Sequence, residues 1–102
     1  MKIKSVVTLK EVADDLNDGK VFYDQLQMGV GDYFWDSLIT DIESLILYAG
    51  IHNKKYDLYR MLARRFPYAV YYYIKDDIAQ VVAVLPMRRD PAWIEKKLKE
   101  RC

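Results

Sequence analysis

The chain has 102 residues, enough for one domain with one modest core, and we treat residues 1–102 as that single domain. Hydrophobic residues make up 52% and charged residues 30%, with a net charge of +1, which is typical of a globular protein and not of a disordered one. No apolar run approaches the roughly 20 residues that span a bilayer, and no secretory signal is visible. We therefore expect no membrane partner. Because the single cysteine, Cys102, cannot form an internal disulfide, we also expect a cytoplasmic protein.

The first part of the chain predicts a strand followed by a helix. Apolar and polar residues alternate over residues 2–9, which is the period of a strand. Thr8 precedes Glu11 by three residues, the spacing of a capping box, so we expect a helix to begin near Leu9 and to continue to about Leu26. Its apolar stripe includes Phe22, Tyr23 and Leu26. Gly19 weakens this helix and predicts a kink or an early end.

A second helix is predicted after a turn that contains two glycines. Asp32 follows this turn and is a suitable N-cap for a helix over residues 33–48. Apolar residues recur there at spacings of three and four, which predicts one buried stripe. Gly50 is placed to end the helix. Two helices joined by a short glycine turn are expected to form an antiparallel hairpin.

The remainder of the chain predicts three strands and a final helix. The strands cover residues 57–64, 68–75 and 78–85, and the last two are joined by a polar turn at Asp76 and Asp77. Asp90 and Pro91 are suitable N-cap and N1 residues for a helix over residues 91–99. The predicted order is β-α-α-β-β-β-α, an α+β fold with a helical hairpin packed on a small antiparallel sheet.

The charges are distributed unevenly along the chain. Residues 1–51 carry four Lys against nine Asp and Glu, a net charge of −5. Residues 52–102 carry twelve Lys and Arg against six Asp and Glu, a net charge of +6. Either the two halves attract one another, or a basic patch meets an anionic partner such as nucleic acid or an acidic protein segment.

Three stretches resemble a known family. Residues 29–38 begin Gly-Val-Gly-Asp-Tyr-Phe, residues 64–72 read Arg-Arg-Phe-Pro-Tyr-Ala-Val-Tyr-Tyr, and residues 82–93 contain Arg-Arg-Asp-Pro followed by Trp93. With the element order, these stretches are similar to the RelE/ParE superfamily of type II toxin–antitoxin toxins over nearly the whole chain. The resemblance implies a toxin neutralised by a cognate antitoxin. RelE-like members cleave mRNA on the ribosome, whereas ParE-like members are not enzymes and act on DNA gyrase.

The sequence departs from the RNase pattern within that family. Ala69 stands where the family commonly has arginine, and Leu62 stands at a position that is often lysine. Pro86 and Met87 replace the histidine that is common before Arg-Arg-Asp-Pro. The net charge of +1 is also low for a protein that contacts many phosphates. The sequence therefore favours a ParE-like toxin, which is expected to bind its target without catalysis. The alternatives are a RelE-like ribosome-dependent mRNA endonuclease and a non-toxic member that only binds a partner protein.

Basic residues are the candidate site residues. The expected residues for binding an anion or the target are Arg60, Arg64, Arg65, Arg88 and Arg89. Alternatively, these arginines form ordinary surface ion pairs with the acidic residues. If the protein is an RNase, the candidate catalytic residues are Arg64, Arg88, Tyr72 and His52.

No cofactor or metal is expected, because the only histidine has no clustered Asp or Cys near it in sequence. The tyrosines of residues 68–73 are interpreted mainly as packing residues of a strand. The expected partners are the antitoxin and DNA gyrase, or the ribosome and mRNA in the RNase alternative. The sequence leaves a homodimer open.

Overall fold

A computed structural model describes residues 2–102 and shows one five-stranded sheet with helices on both faces. The strand order across the sheet is β1-β5-β4-β3-β2. In chain order the elements are β1 (Ser5–Thr8), α1 (Glu11–Leu26), α2 (Val30–Glu43), α3 (Leu45–Tyr48), β2 (Lys54–Lys55), β3 (Leu58–Leu62), β4 (Tyr68–Lys75), β5 (Ile78–Pro86) and α4 (Pro91–Arg101). The predicted α+β class and the helical hairpin are confirmed.

The sheet is mixed, so the prediction of an antiparallel sheet was wrong in one pairing. β1 runs parallel to β5, and the other neighbouring strands are antiparallel. The Lys4 N–H donates to the Asp77 carbonyl at 2.8 Å, and the Leu9 N–H donates to the Val81 carbonyl at 2.9 Å. Because α1 to α3 and three strands separate β1 from β5, no local turn chemistry sets their relative direction. The short strand β2 and the short helix α3 were also not predicted.

Two turns with positive φ angles connect the antiparallel strands. Asp76 and Asp77, with φ of 54° and 63°, join β4 to β5, as the sequence predicted. Tyr56 and Asp57, with φ of 58° and 63°, join β2 to β3 in the same way. Two successive residues with positive φ are characteristic of the tight turns whose twist matches that of the strands.

The sheet carries a hydrophobic cluster on each face. The larger cluster lies under the helical hairpin. Its fully buried members include Phe34, Leu38, Leu45, Val70 and Tyr72. The smaller cluster lies under α4 and consists of Leu58, Ala69, Tyr71, Val82, Ala83, Leu85, Ile94 and Leu98. Tyr68 and Tyr72 belong to the larger cluster and Tyr71 to the smaller one, which confirms packing roles for these three, whereas Tyr73 is 39% exposed.

Glycines allow the two long helices and the sheet to approach closely. Helix α1 continues through Gly19 to Leu26, so the predicted early end was wrong. A Cβ atom on Gly19 would lie 2.4 Å from the ring of Phe34. A Cβ atom on Gly31 would lie 2.4 Å from the backbone oxygen of Lys20. Both glycines are therefore required for contact between neighbouring elements rather than for a special backbone conformation.

Neither predicted N-cap of the hairpin helices is formed. Helix α1 begins at Glu11 after Lys10, and no side chain caps it, so the Thr8 capping box is absent. Helix α2 begins at Val30, before the predicted cap Asp32. Asp24 of α1 instead accepts a hydrogen bond from the Gly31 N–H at 2.7 Å.

A buried ion pair joins α1 to α4. Arg101 donates from Nη1 and Nη2 to the two carboxylate oxygens of Asp15 at 2.5 and 2.7 Å. Asp15 also accepts the Val84 N–H at 2.9 Å, and Arg101 donates to the Val82 carbonyl at 3.2 Å. Val82 lies at the bulge between β4 and β5. These bonds fix the end of α4 against the sheet, and they supplement the predicted N-cap, in which Asp90 accepts the Ala92 N–H at 3.1 Å.

Candidate functional site

The fold brings two arginine pairs to one end of the sheet. Arg64 and Arg65 lie in the connection from β3 to β4, and Arg88 and Arg89 follow β5. Tyr68 at the start of β4 pairs with Pro86 at the end of β5. The Met87 N–H donates to the Pro67 carbonyl at 2.9 Å, which holds the two connections side by side. We call the surface formed by Arg64, Arg65, Arg88 and Arg89 the arginine end.

Backbone and ring contacts fix parts of this surface. The Arg64 N–H donates to the buried carboxylate of Asp41 at 3.1 Å, which ties the β3–β4 connection to α2. The Arg89 guanidinium lies 4.0 Å from the ring centroid of Trp93, a cation–π distance. The Lys97 Nζ atom lies 5.5 Å from the centroid of the same ring.

The guanidinium groups of the arginine end are not neutralised. All four residues are exposed, and within residues 2–102 none forms an ion pair with a carboxylate. The ion pairs of that part of the chain join Lys20 to Asp32, Lys99 to Glu95 and Arg101 to Asp15. A group of exposed cations without internal partners is suited to an anionic partner.

Arg60 lies apart from the arginine end. It occupies the middle of β3 and pairs with Tyr71 of β4. Burial raises the pKa of Tyr71, and the neighbouring Arg60 guanidinium opposes this rise. Arg60 is therefore half-buried beside a phenol on the α4 face, whereas the other four arginines extend into solvent.

Tyr72 lies in the middle of β4 and contacts His52, which follows α3. Tyr72 is 0% exposed. Its hydroxyl accepts the Gly50 N–H at 2.9 Å and lies 2.5 Å from His52 Nδ1. Burial raises the pKa of Tyr72 and lowers the pKa of His52, so both the phenol and the imidazole are neutral near neutral pH.

The four residues of the RNase alternative are consequently not brought together. Tyr72 is four residues along β4 from Tyr68, which corresponds to about 13 Å. Arg64 and Arg88 lie beyond the Tyr68 end of that strand. The structure brings the arginines of the two motifs together and places Tyr72 and His52 in a separate hydrogen-bonded pair.

Aromatic side chains of the helical hairpin lie beside the arginine end, and the sequence did not predict this. The Phe66 ring, next to Arg65, lies 4.8 Å from the ring of Tyr23 and 5.4 Å from that of Tyr33. Burial raises the pKa of Tyr23, and the charge of Arg88 opposes this rise. The sequence signal that was available is Phe66, the third residue of the Arg-Arg-Phe-Pro-Tyr stretch, together with the aromatic residues Tyr23 and Tyr33 of the two predicted helices.

Tyr68 lies under this aromatic group and is not a candidate base. Its ring packs at 4.8 Å from that of Phe34. Burial raises the pKa of Tyr68 to about 12, so the phenol stays protonated at neutral pH.

The remaining concave features are shallow or lack a ligand set. A groove of about 180 Å³ between α1, β5 and α4 is lined in part by Tyr68, Arg89 and Trp93. Among residues 2–102, no three His, Cys, Asp or Glu side chains lie close enough to hold a metal ion. No helix in that part of the chain has the length and apolar character to cross a membrane.

The chain has a RelE/ParE-like α+β fold. This fold is similar to that of a chain described as the chromosomal ParDE TA system from P. aeruginosa. The TM-score is 0.74 at 13% sequence identity, and the match covers 82% of this chain and 96% of that chain. At that identity the likeness establishes a shared fold, which confirms the predicted ParE-like architecture. No family profile and no curated protein matches the sequence.

Proposed function

We propose that the protein is the toxin of a type II toxin–antitoxin system, that it is ParE-like, and that it acts by binding a cellular target such as DNA gyrase. A cognate antitoxin would neutralise it, and both partners would be met in the cytoplasm. The fold that the chain shares with a chain of a ParDE system supports this class. The two motifs with family resemblance also supply all four residues of the arginine end.

The observation that carries the preference for binding is the separation of the arginine end from the Tyr72–His52 pair. Cleavage of RNA by its own 2′-hydroxyl requires a proton acceptor and a proton donor next to the groups that stabilise the phosphate. Tyr72 is buried, and its hydroxyl is bonded to Gly50 and His52. The exposed arginines can instead bind carboxylates or phosphates of a partner without any proton transfer.

The RelE-like alternative has one favourable observation, the Tyr23 ring 4.8 Å from that of Phe66, which directly follows Arg65. A tyrosine beside arginines could donate a proton to a leaving group. However, burial raises the pKa of Tyr23, so this phenol is a poor proton acceptor at neutral pH. Tyr23 therefore does not supply the base that the cleavage requires.

Inducible expression in a bacterial host tests the proposal. We expect growth arrest with DNA double-strand breaks and SOS induction while protein synthesis continues. Rapid loss of protein synthesis with mRNA cleavage on ribosomes would contradict gyrase as the target and support the endonuclease. Unchanged growth would contradict toxicity and leave a protein that only binds a partner.

A further inference from the structure

A groove lies on the α4 face of the sheet, beside the last turns of α4. Helix α4 packs on this face through Ile94 and Leu98, and Tyr71 of the same cluster is 2% exposed. Tyr73 lies two residues further along β4 and therefore on the same face, yet it is 39% exposed. The groove has a volume of about 550 Å³, and its apolar walls are Tyr56, Leu58, Tyr73 and Leu98. Helix α4 therefore leaves part of this sheet face uncovered.

One side of α4 has the residue spacing of a helix–helix contact. Its exposed residues follow one another at intervals of three, four and three, and they are Ala92, Glu95, Lys99 and Cys102. The last three of these residues also line the groove. Intervals of three and four are those of the contact positions in a coiled coil, so the four side chains lie on one side of the helix. We call these four residues the α4 stripe.

The charges of the α4 stripe are complementary to those of a second copy of the chain. If two α4 helices lie antiparallel about a two-fold axis at the level of Lys97, Glu95 of each copy lies opposite Lys99 of the other. The same axis places Ala92 opposite Cys102, two small side chains that allow the helices to approach. A parallel pair would instead place Glu95 opposite Glu95 and Lys99 opposite Lys99. The sequence of the stripe therefore favours an antiparallel pair.

The charged groups of the stripe are free to form contacts with a second copy. Within one copy the Glu95 Oε2 and Lys99 Nζ atoms are 3.9 Å apart, and the two side chains are 50% and 76% exposed. In the antiparallel pair each carboxylate would lie between two ammonium groups, one from each copy. Four charges of alternating sign attract more strongly than one exposed pair, because each charge gains a second partner.

We propose that two copies of the chain form a homodimer in which their α4 helices lie antiparallel along the α4 stripe and cover the groove beside Tyr73. This assembly goes beyond the proposed function and does not depend on it. Helix α4 has 11 residues and is about 16 Å long, so the interface is small and the association is reversible. Because Arg88 and Arg89 directly precede α4, the antiparallel arrangement places two arginine ends at opposite ends of the dimer.

Sedimentation velocity of the purified full-length chain under reducing conditions tests for the dimer. We expect a monomer–dimer equilibrium that depends on concentration and shifts towards monomer as salt rises, because the central contacts are ionic. A single monomeric species up to about 1 mM, where even a weak complex forms, would overturn the proposal. A monomer that binds 1-anilinonaphthalene-8-sulfonate beside Tyr73 would show that the groove takes small apolar molecules instead of a second copy.

Charge reversal tests the central contacts of the dimer. Glu95→Lys alone and Lys99→Glu alone each place like charges opposite one another, so each should weaken self-association roughly tenfold or more. An equimolar mixture of the two variants restores opposite charges between copies but not within either copy, and it should form a mixed dimer as readily as the unmodified chain dimerises. Glu43→Lys makes the same charge change at an exposed position of α2 and should leave self-association within about twofold. A mixture that stays monomeric, or an equal loss for Glu43→Lys, would contradict these contacts.

Disulfide cross-linking tests the antiparallel direction. Ala92→Cys places a thiol opposite Cys102 of the second copy, so mild oxidation should give a covalent dimer. Adding Cys102→Ser to Ala92→Cys gives the matched control, because the two copies of residue 92 would then lie at least about 15 Å apart, beyond the reach of a disulfide. Far-ultraviolet circular dichroism checks that both variants are folded. No cross-linking of Ala92→Cys, or equal cross-linking of the control, would overturn the antiparallel dimer.

Discussion

Asp15 is a buried carboxylate that forms an ion pair with Arg101, near the C-terminus of the chain. Its side chain and that of Arg101 are 6% and 9% exposed. The bond with Asp15 raises the pKa of Arg101, which keeps the guanidinium charged in the folded protein. The sequence could not predict this pair, because 86 residues separate its members and neither belongs to a motif.

Arg101→Met tests the importance of that ion pair. The substitution keeps the apolar stem but leaves the Asp15 carboxylate buried without its cation, which costs about 3–5 kcal/mol of unfolding free energy. Urea denaturation measures the change. Adding Asp15→Asn should recover part of the loss, because the amide oxygen can still accept the Val84 N–H and no charge remains buried.

Lys99→Met is the matched control for Arg101→Met. Lys99 lies on the same helix and pairs with Glu95 at 3.9 Å, but the two side chains are 76% and 50% exposed. Exposed pairs contribute at most about 1 kcal/mol. A similar loss for both substitutions would contradict a special role for the buried pair.

The burial of His52 makes the free energy of unfolding depend on pH. Burial lowers its pKa below the ordinary value of 6.5, whereas the unfolded chain binds the proton near that value. Between these two pKa values the unfolded state holds more protons, so the free energy of unfolding falls as pH drops from 7 towards the folded pKa. His52 is the only histidine, so urea melts of His52→Gln should lose this slope between pH 7 and about 5.5. An unchanged slope would contradict the assignment.

At the scale of elements, the sequence correctly predicted the turns, caps and helices that depend on neighbouring residues. The Asp76–Asp77 turn, the Asp90 cap and the helical stripe of α2 depend on neighbouring residues, and each is found. The start of α2 was predicted wrongly, because its cap is Asp24 on the preceding helix. That contact exists only after the two helices pack, so no spacing rule within α2 reveals it.

Gly31→Ala tests the close approach of α1 and α2. Alanine favours a helix over glycine by about 1 kcal/mol, so propensity alone predicts stabilisation. The new Cβ atom would meet the Lys20 carbonyl oxygen at 2.4 Å and the Asp24 Cγ at 2.5 Å. Since backbone has to move, we expect a net loss of about 1–3 kcal/mol in thermal or urea unfolding.

Thr40→Ala on the exposed face of α2 is the control for that substitution. It raises helix propensity without adding an atom between the helices, so stability should be unchanged or slightly higher. If Gly31→Ala were equally neutral, the helices would have room to separate, and the close approach would not contribute to stability.

At the scale of the whole molecule, the ion pairs show how far the acidic and basic halves of the sequence attract one another. Within residues 2–102, Asp15–Arg101 is the one ion pair that joins the acidic half of the sequence to the basic half. Attraction between the halves therefore leaves most of the basic charge available. The sequence identified the four arginines through their motifs. It did not identify the exposed apolar side chains Phe22, Leu26 and Tyr33 of the helical hairpin, because exposure along an amphipathic helix depends on how the helix packs.

The availability of this charge leads to a prediction for the double variant Arg64→Ala with Arg88→Ala. Both side chains are exposed, so unfolding free energy should change by less than about 0.5 kcal/mol. Loss of two charged contacts to a partner should reduce affinity roughly tenfold or more, and growth arrest on induction should be relieved.

The matched control, Lys75→Ala with Lys96→Ala, removes the same charge elsewhere and should remain toxic. If both double variants stay equally toxic at equal protein levels, the arginine end does not take part in toxicity. If both lose toxicity, total charge rather than this surface determines it.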